Sequence, residues 1–478
     1  MNLSGRIAAN SFAQICGNVV ASLVSFFTFA AVTRALGPGR FGDLVAATAF
    51  LGIPILIGDL GLSWGVLREI SQYPERTGRV MGASVLVRTV GAAVIVSTAA
   101  GIAFLLPFNG HVRYAVAVGA IGAFFNLADL SLMPALQAQL RMYRIVLVTV
   151  VSRLVTLALV FGFVAAGLGF HAIVWAYALG NIANFSLDLL VVRRLVGLRL
   201  VFDLPYCWKV LRGSLLLGAA YVIGTGYWYV DRVLLSLLAP SHDVGLYGAA
   251  FKFIELSFIP ITAISISIFP SLARSMEQRD LERTPHLLQR SLDIMVAMSV
   301  PLCVFALVDS RGLVTIVGGS AFSAAAPALQ ILGPLLVVVF VASVFERGLI
   351  AGHRERLLLL LNSAGLALNV VLNVLFIPRF GYKAVAAVSL LTVSLWVITA
   401  AILVGGLYSF RPRLQFVSLT VLAGAVMAAA LTLLPGPQVP GGLLALVVYV
   451  SIVVIPPGTG RELAGRLLVS LAPPRPAR

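Results

Sequence analysis

Residues 354–379 read RERLLLLLNSAGLALNVVLNVLFIPR. From Leu357 to Pro378 no residue carries a charge, and the apolar residues run on without the alternation of a membrane β-strand. At about 1.5 Å per residue, a helix of this length crosses the roughly 30 Å hydrocarbon core of a bilayer. A helix is the predicted form because it pairs its own N–H and C=O groups where no water is present to do so. The flanks are unequal: Arg354 and Arg356 precede the run, and a single arginine, Arg379, closes it.

The same unit recurs along the 478-residue chain. Apolar runs lie at Phe12–Val32, Phe41–Trp64, Val80–Leu106, Ala115–Leu136, Ile145–Leu168 and Ala172–Val192, then at Leu215–Leu238, Leu246–Phe269, Ser291–Val308, Ala326–Phe345, Leu357–Phe376 and Ala384–Leu407, and finally at Phe416–Leu434 and Gly442–Ile455. Composition agrees: 60% of residues are hydrophobic and 11% charged, against about 25% charged in soluble domains, and mean hydropathy is +1.02. The expected fold is an all-α polytopic membrane protein with about 14 transmembrane helices.

Charge orients it. With the N-terminus inside, 24 of the 34 Lys and Arg fall on cytoplasmic joins and 6 on outer joins (Arg34, Arg40, Arg113, Arg311, Arg379 and Lys383), while Arg88, Arg153, Arg232 and Lys252 fall inside spans. Lys and Arg accumulate on the cytoplasmic side of membrane proteins, so both termini are expected in the cytoplasm of a multi-pass protein of the cell membrane. The net charge of +16 is spread over membrane-flanking joins rather than gathered on one face, which argues against a nucleic-acid partner. Cys16, Cys207 and Cys303 have no metal-ligand spacing and read as small buried hydrophobes or free thiols, so no metal is expected. The first run lacks a small-residue cleavage site and is expected to be retained.

Internal similarity divides the chain. Gly37-Pro38-Gly39-Arg40-Phe41-Gly42 follows the first run, and Ala239-Pro240-Ser241-His242-Asp243-Val244-Gly245 follows the seventh. Gly169-Phe170-His171-Ala172 opens the sixth, and Gly381-Tyr382-Lys383-Ala384 opens the twelfth. Six spans between copies gives parallel repeats, a recurrent transporter design with the substrate site between the two bundles. The expected organisation is a six-helix lobe over 1–192, a cytoplasmic linker over 193–214, a second six-helix lobe over 215–410, and two extra helices with a cytoplasmic tail over 411–478.

The chain also resembles a family. Asn10-Ser11, Arg34-Ala35-Leu36-Gly37-Pro38 and Phe41-Gly42, then Asp59-Leu60-Gly61-Leu62 with Arg68-Glu69, are similar to the polysaccharide exporter (Wzx-type) flippases of the multidrug/oligosaccharidyl-lipid/polysaccharide superfamily. So are Asp231-Arg232, Gly245-Leu246-Tyr247 and Phe269-Pro270, and later Asn369, Asn373, Ile377-Pro378 and Gly381. The resemblance runs from about residue 10 to about residue 405. It implies a two-lobed helical flippase for lipid-linked oligosaccharides and leaves the sugar open.

Ionisable residues at membrane depth cost at least about 2.5–3.5 kcal/mol at the centre of a span and are functional candidates. Asp59, Arg88, Asp129 and Arg153 each lie nine to twelve residues from a cytoplasmic arginine, hence at comparable depth, and form a candidate compensated cluster. In one reading they only position helices. In the other, Arg88 and Arg153 line a cavity and meet a diphosphate, for which the guanidinium fork is suited. Nearer the outer surface, Arg34 and Arg232 are candidates for receiving the headgroup. Asp231, Lys252 and Glu255 are charge-compensating or ion-coupling candidates, with Lys252 and Glu255 placed to pair at i, i+3. Asp59, Asp129 and Glu255 are the candidates for H+ or Na+ coupling. Tyr227-Trp228-Tyr229 reads either as a sugar-stacking platform or as part of an interfacial aromatic belt. Asn362, Asn369 and Asn373 share one helix face and are expected to bond between helices. Pro54, Pro134, Pro260, Pro301 and Pro334 mark kinks.

The expected activity is movement of a lipid-linked oligosaccharide, on an undecaprenyl diphosphate carrier, from the cytoplasmic to the outer leaflet by alternating access. No cofactor or catalytic residue is expected; the lipid bilayer, a polysaccharide polymerase and glycosyltransferases are the expected partners. Alternatives are a multidrug antiporter or a peptidoglycan-precursor flippase. A membrane glycosyltransferase or polymerase is more remote, because the outer joins are short and poor in acids.

Overall fold

The computed structural model describes residues 3–59, 62–73, 77–138, 142–195, 204–278, 280, 282–433 and 438–454. Among them every regular element is helical, and no strand occurs. In order these are α1 (Leu3–Asp59), α2 (Leu62–Gln72), α3 (Thr77–Leu105), α4 (Gly110–Asp129), α5 (Met133–Ala138), α6 (Met142–Ala165), α7 (Phe170–Leu195), α8 (Leu204–Leu238) and α9 (Ser241–Glu277). There follow α10 (Arg283–Val308), α11 (Ser310–Gly318), a 3₁₀ segment (Ser320–Ala325), α12 (Ala326–Ala351), α13 (Glu355–Phe380), α14 (Tyr382–Tyr408), α15 (Gln415–Leu433) and α16 (Gln438–Val454).

Eleven stretches among the described residues are long and apolar enough to cross a membrane. One of them, Gly17–Asp59, overlaps two of the runs read from the sequence. It is two helices joined at Gly37, whose φ of 66° and ψ of 172° interrupt the helical backbone. Glycine takes this φ without penalty, and Pro38 then starts the next helix, where a missing N–H costs nothing. The spans leave large apolar side chains uncovered, among them Leu105 at 86% and Ile402 at 70% exposure. In water such faces would aggregate; in a bilayer they are the lipid-facing surface. The protein is a multi-pass, all-helical membrane protein.

The chain forms two compact units. One comprises Met1–Ala249, Val317–Phe322 and Asn362–Val385; the other comprises Ala250–Ile316, Ser323–Leu361 and Ala386–Arg478. Most of the residues at 193–214, read above as a linker, lie outside the described backbone or have undescribed side chains. In the first unit, Val66, Ile70, Val80, Met81, Leu132, Leu136, Ile145 and Val192 form one buried cluster. These residues tie the short helices α2 and α5 to α3, α6 and α7. In the second unit α10 lies against α12 and α15, and the Tyr449 hydroxyl of α16 donates to the Ala297 carbonyl at 2.7 Å.

Candidate functional site

One span breaks at an aspartate: α4 ends at Asp129 and α5 starts at Met133. There Ser131 N–H donates to the Ala128 carbonyl at 3.1 Å and Leu132 N–H to the Asp129 carbonyl at 2.8 Å, a tight turn in place of the α-helical ladder. The sequence there, Asp129-Leu130-Ser131-Leu132, matches Asp59-Leu60-Gly61-Leu62 in type. Pro134 stands just inside α5, where it ends no helix but helps start one. Irregular backbone at membrane depth persists only inside protein or against a hydrated cavity, which makes such breaks characteristic of transport sites.

Asp59 is compensated by a cation. Arg88 of α3 is 3% exposed. Its Nη2 donates to Asp59 Oδ1 at 2.7 Å and to Ser63 Oγ at 3.0 Å, and Ser63 Oγ donates to Asp59 Oδ1 at 2.7 Å. The remaining nitrogens of the guanidinium, Nε and Nη1, are buried and donate to nothing among the described residues. An unmade buried hydrogen bond costs about 1–3 kcal/mol. Most of the guanidinium's donors are therefore held in place without an acceptor.

Asp129 is not compensated this way. Asp129, 6% exposed, accepts from Asn184 Nδ2 of α7 at 2.7 Å. Asn184 also reaches Asp188 at 3.5 Å and accepts from Ser152 Oγ of α6 at 2.7 Å. Arg153, next to that serine, is exposed, acts electrostatically on the Tyr177 hydroxyl, and forms no ion pair among the described residues. The four charges read as one set thus separate into an Arg88–Asp59 pair, an Asp129 held by Asn184 and an exposed arginine. Asp188 and Asn184 escaped the sequence reading because Asp188 stands only five residues before Arg193 and so looked interfacial. Their i, i+4 spacing was the available signal.

Nearer the other end, Asp231 of α8 is fully buried and accepts from Asn373 Nδ2 at 2.9 Å, while Asn369 Nδ2 donates to Tyr227 Oη at 3.0 Å. Both bonds join residues 142 apart, so α8 and α13 run parallel here in fixed register. Asn362 continues the seam against Gly224. The asparagine face bonds between helices, as its spacing predicted. Arg232 lies over the Tyr229 ring at 5.2 Å and donates from Nε to the Trp228 carbonyl at 3.2 Å. Tyr227 is buried, and the ring of Tyr229 lies against Gly52. Arg34 is exposed and donates from Nε to the Val317 carbonyl at 3.3 Å. Lys252 and Glu255 form the expected ion pair at 2.9 Å along α9.

The two outer joins that matched in sequence meet in space. A Cβ on Gly42 would strike the Ser241 carbonyl oxygen, and one on Gly245 would strike the Pro38 carbonyl oxygen. Beside this crossing the buried Asp43 accepts from Ser241 Oγ at 2.6 Å and from Asn109 Nδ2 at 2.7 Å. Asn109 also caps α4 through the Val112 N–H at 2.9 Å.

Long apolar helices that bury charged side chains are those of a polytopic membrane protein. The chain belongs to the polysaccharide biosynthesis protein family, whose profile matches residues 7–276. The MatE profile matches residues 217–375. Among curated relatives, the "Probable low-salt glycan biosynthesis flippase Agl15" of Haloferax volcanii is 20% identical over 427 residues, 89% of each chain. The "Probable flippase AglR" of the same organism is 24% identical over 465 residues, 90% of each. Among solved structures, the lipid II flippase MurJ in an inward closed conformation superposes with a TM-score of 0.74 at 11% identity, over 96% of this chain and 99% of that one. An inward-facing multidrug resistance MATE family transporter of the MOP superfamily gives 0.66 at 14%, over 84% and 98%. The fold is therefore that of the MurJ and MATE transporters.

Proposed function

We propose that this protein is a flippase that carries a lipid-linked oligosaccharide, on an undecaprenyl diphosphate carrier, from the cytoplasmic to the outer leaflet for surface polysaccharide synthesis. The observation that carries this reading is the Arg88 guanidinium, fixed by Asp59, with Nε and Nη1 meeting no acceptor among the described residues. A phosphate group supplies the oxygens for that fork, in geometry that a lysine cannot match. The flippase names of relatives that align over nine-tenths of the chain support the same reading. The diphosphate is held by arginine, the glycan rides in a hydrated cleft, and the prenyl chain stays in lipid. Rocking of the lobes at 1–192 and 215–410 switches access, and no covalent bond changes. A polymerase and glycosyltransferases act on the same glycan before and after it crosses.

Purified protein in vesicles is expected to move a lipid-linked oligosaccharide between leaflets with its mass unchanged. A new glycosidic bond formed from purified components would make the protein an enzyme instead. The orientation has its own check. Reporter fusions at Arg199 and Arg279, both outside the described residues, are expected to read cytoplasmic, and fusions at Gly110 and His242 external. Exchanged signals would reverse the topology.

A further inference from the structure

A polar cavity of about 470 Å³ lies beside the crossing of the two outer joins, and nothing in the proposed transport step uses it. Its walls include Gly37, Gly39, Arg40 and Asp43 of the first join, Asn109 before α4, and Ser241 at the start of α9. The volume falls within the roughly 300–1,000 Å³ of small-molecule sites. A Cβ built on Gly37 or Gly39 would have nothing within 4 Å, so the backbone there is open to close approach by a ligand.

The floor of the cavity is already organised. Asp43, whose side chain is 4% exposed, accepts at Oδ1 from Ser241 Oγ at 2.6 Å and from Asn109 Nδ2 at 2.7 Å. Asn109 Nδ2 also donates to Ser241 Oγ at 3.1 Å, while Asn109 Oδ1 caps α4. The serine and the asparagine thus spend their hydrogen bonds on holding the carboxylate still. Two groups keep capacity for a ligand. Arg40 is half exposed, and among the described residues it meets only Asp43 Oδ2, through Nη1 at a long 3.4 Å. Its guanidinium carries five N–H donors, and Asp43 Oδ2 accepts no other bond among the described residues.

This pairing of donor and acceptor selects the ligand. A metal cation entering the cavity would meet the Arg40 guanidinium, and a simple anion would meet the Asp43 carboxylate. A hydroxyl meets neither objection, because it donates to a carboxylate and accepts from a guanidinium. Adjacent hydroxyls on one ring do both side by side.

We propose that this cavity is a saccharide-binding site, in which neighbouring hydroxyls bridge Arg40 and Asp43 against the bare backbone of Gly37 and Gly39. The walls come from both joins, so a bound sugar holds the crossing together. By mass action it stabilises the crossed form over any form in which the joins separate. Sugar binding is independent of the flippase reading. Its consequence, slower flipping when free glycan accumulates, rests on that reading.

Saturation-transfer NMR on the purified full-length protein, in a detergent without a sugar headgroup, tests the site. The probes are free hexoses, N-acetylhexosamines and hexuronic acids, and disaccharides of each. At least one is expected to bind in the millimolar range and to raise the melting temperature. Arg40→Gln should weaken that sugar at least tenfold. Gly39→Leu, which puts a side chain into open space at the cavity wall, should abolish its binding. Neither change removes a bond among Asp43, Asn109 and Ser241, and if one variant does not fold the other decides. Failure of every probe to bind, or binding that survives in a folded variant, overturns the site. In vesicles, the same sugar on both faces should slow wild-type flipping several-fold without slowing Gly39→Leu relative to its own sugar-free rate. Equal slowing of both, or of neither, overturns the consequence for transport. Absence of any flipping in the wild type overturns the transport reading, while the NMR result still decides the site.

Discussion

Gly42→Ala and Gly245→Ala are each expected to remove most of the folded protein from the membrane, with a loss of about 3 kcal/mol or more. In both cases the added methyl meets a backbone carbonyl, of Ser241 or of Pro38. A flexible side chain could turn aside; a helix terminus can move only by pulling the joins apart. Separation would also break the bonds from Ser241 and Asn109 to the buried Asp43. Two neighbouring glycines are the internal controls. Gly39 has open space at its Cβ position, so Gly39→Ala should change stability by no more than about 0.5 kcal/mol. Gly37 also has open space but a φ of 66°, so Gly37→Ala should cost about 1–2 kcal/mol from backbone strain alone. Thermal unfolding in detergent followed by size-exclusion chromatography ranks the four. Equal melting of Gly42→Ala and wild type would mean that the joins do not cross in this way.

This crossing shows what could and could not be read from the sequence. Glycines at matching places in two outer joins were legible, since a repeat preserves local composition. Their contact was not, because no single-chain pattern states which turns approach one another. The spans themselves were legible because lipid imposes continuous hydrophobicity over about 20 residues. The asparagine seam was legible from i, i+4 and i, i+7 spacing, which fixes a helix face without knowledge of its neighbour. Distance from the cytoplasmic arginines was the ground for setting Asp59, Arg88, Asp129 and Arg153 at one level. Azimuth was not readable. Each span is apolar around most of its circumference, so hydrophobic periodicity does not say which side faces protein. For that reason Arg153 was grouped with charges that it does not meet. The helix break after Asp129 was likewise hidden, since an apolar run looks the same whether or not its backbone is continuous.

Arg88→Gln is expected to abolish export, and the pairing with Asp59 now specifies how to separate the two reasons for that loss. Removing the guanidinium strands Asp59, which keeps only the Ser63 hydroxyl and, at 3.4 Å, its N–H as donors. Breaking a buried pair from one side costs about 3–5 kcal/mol, so the single variant is expected at low abundance. Arg88→Gln with Asp59→Asn removes both charges, leaves two amides able to bond to each other, and should return folded protein to near wild-type levels. Export then decides the role. If Arg88 only neutralises Asp59, the double variant exports normally. If its Nε and Nη1 grip a diphosphate, the double variant remains defective by about a hundredfold or more, since two charge-assisted hydrogen bonds are worth about 1.5–3 kcal/mol each. Arg88→Lys should retain the pair with Asp59 and most of the folded protein, yet export poorly, because an ammonium keeps the charge without the fork. Normal export by the folded double variant would remove Arg88 from substrate binding and leave the two buried nitrogens without a purpose in transport.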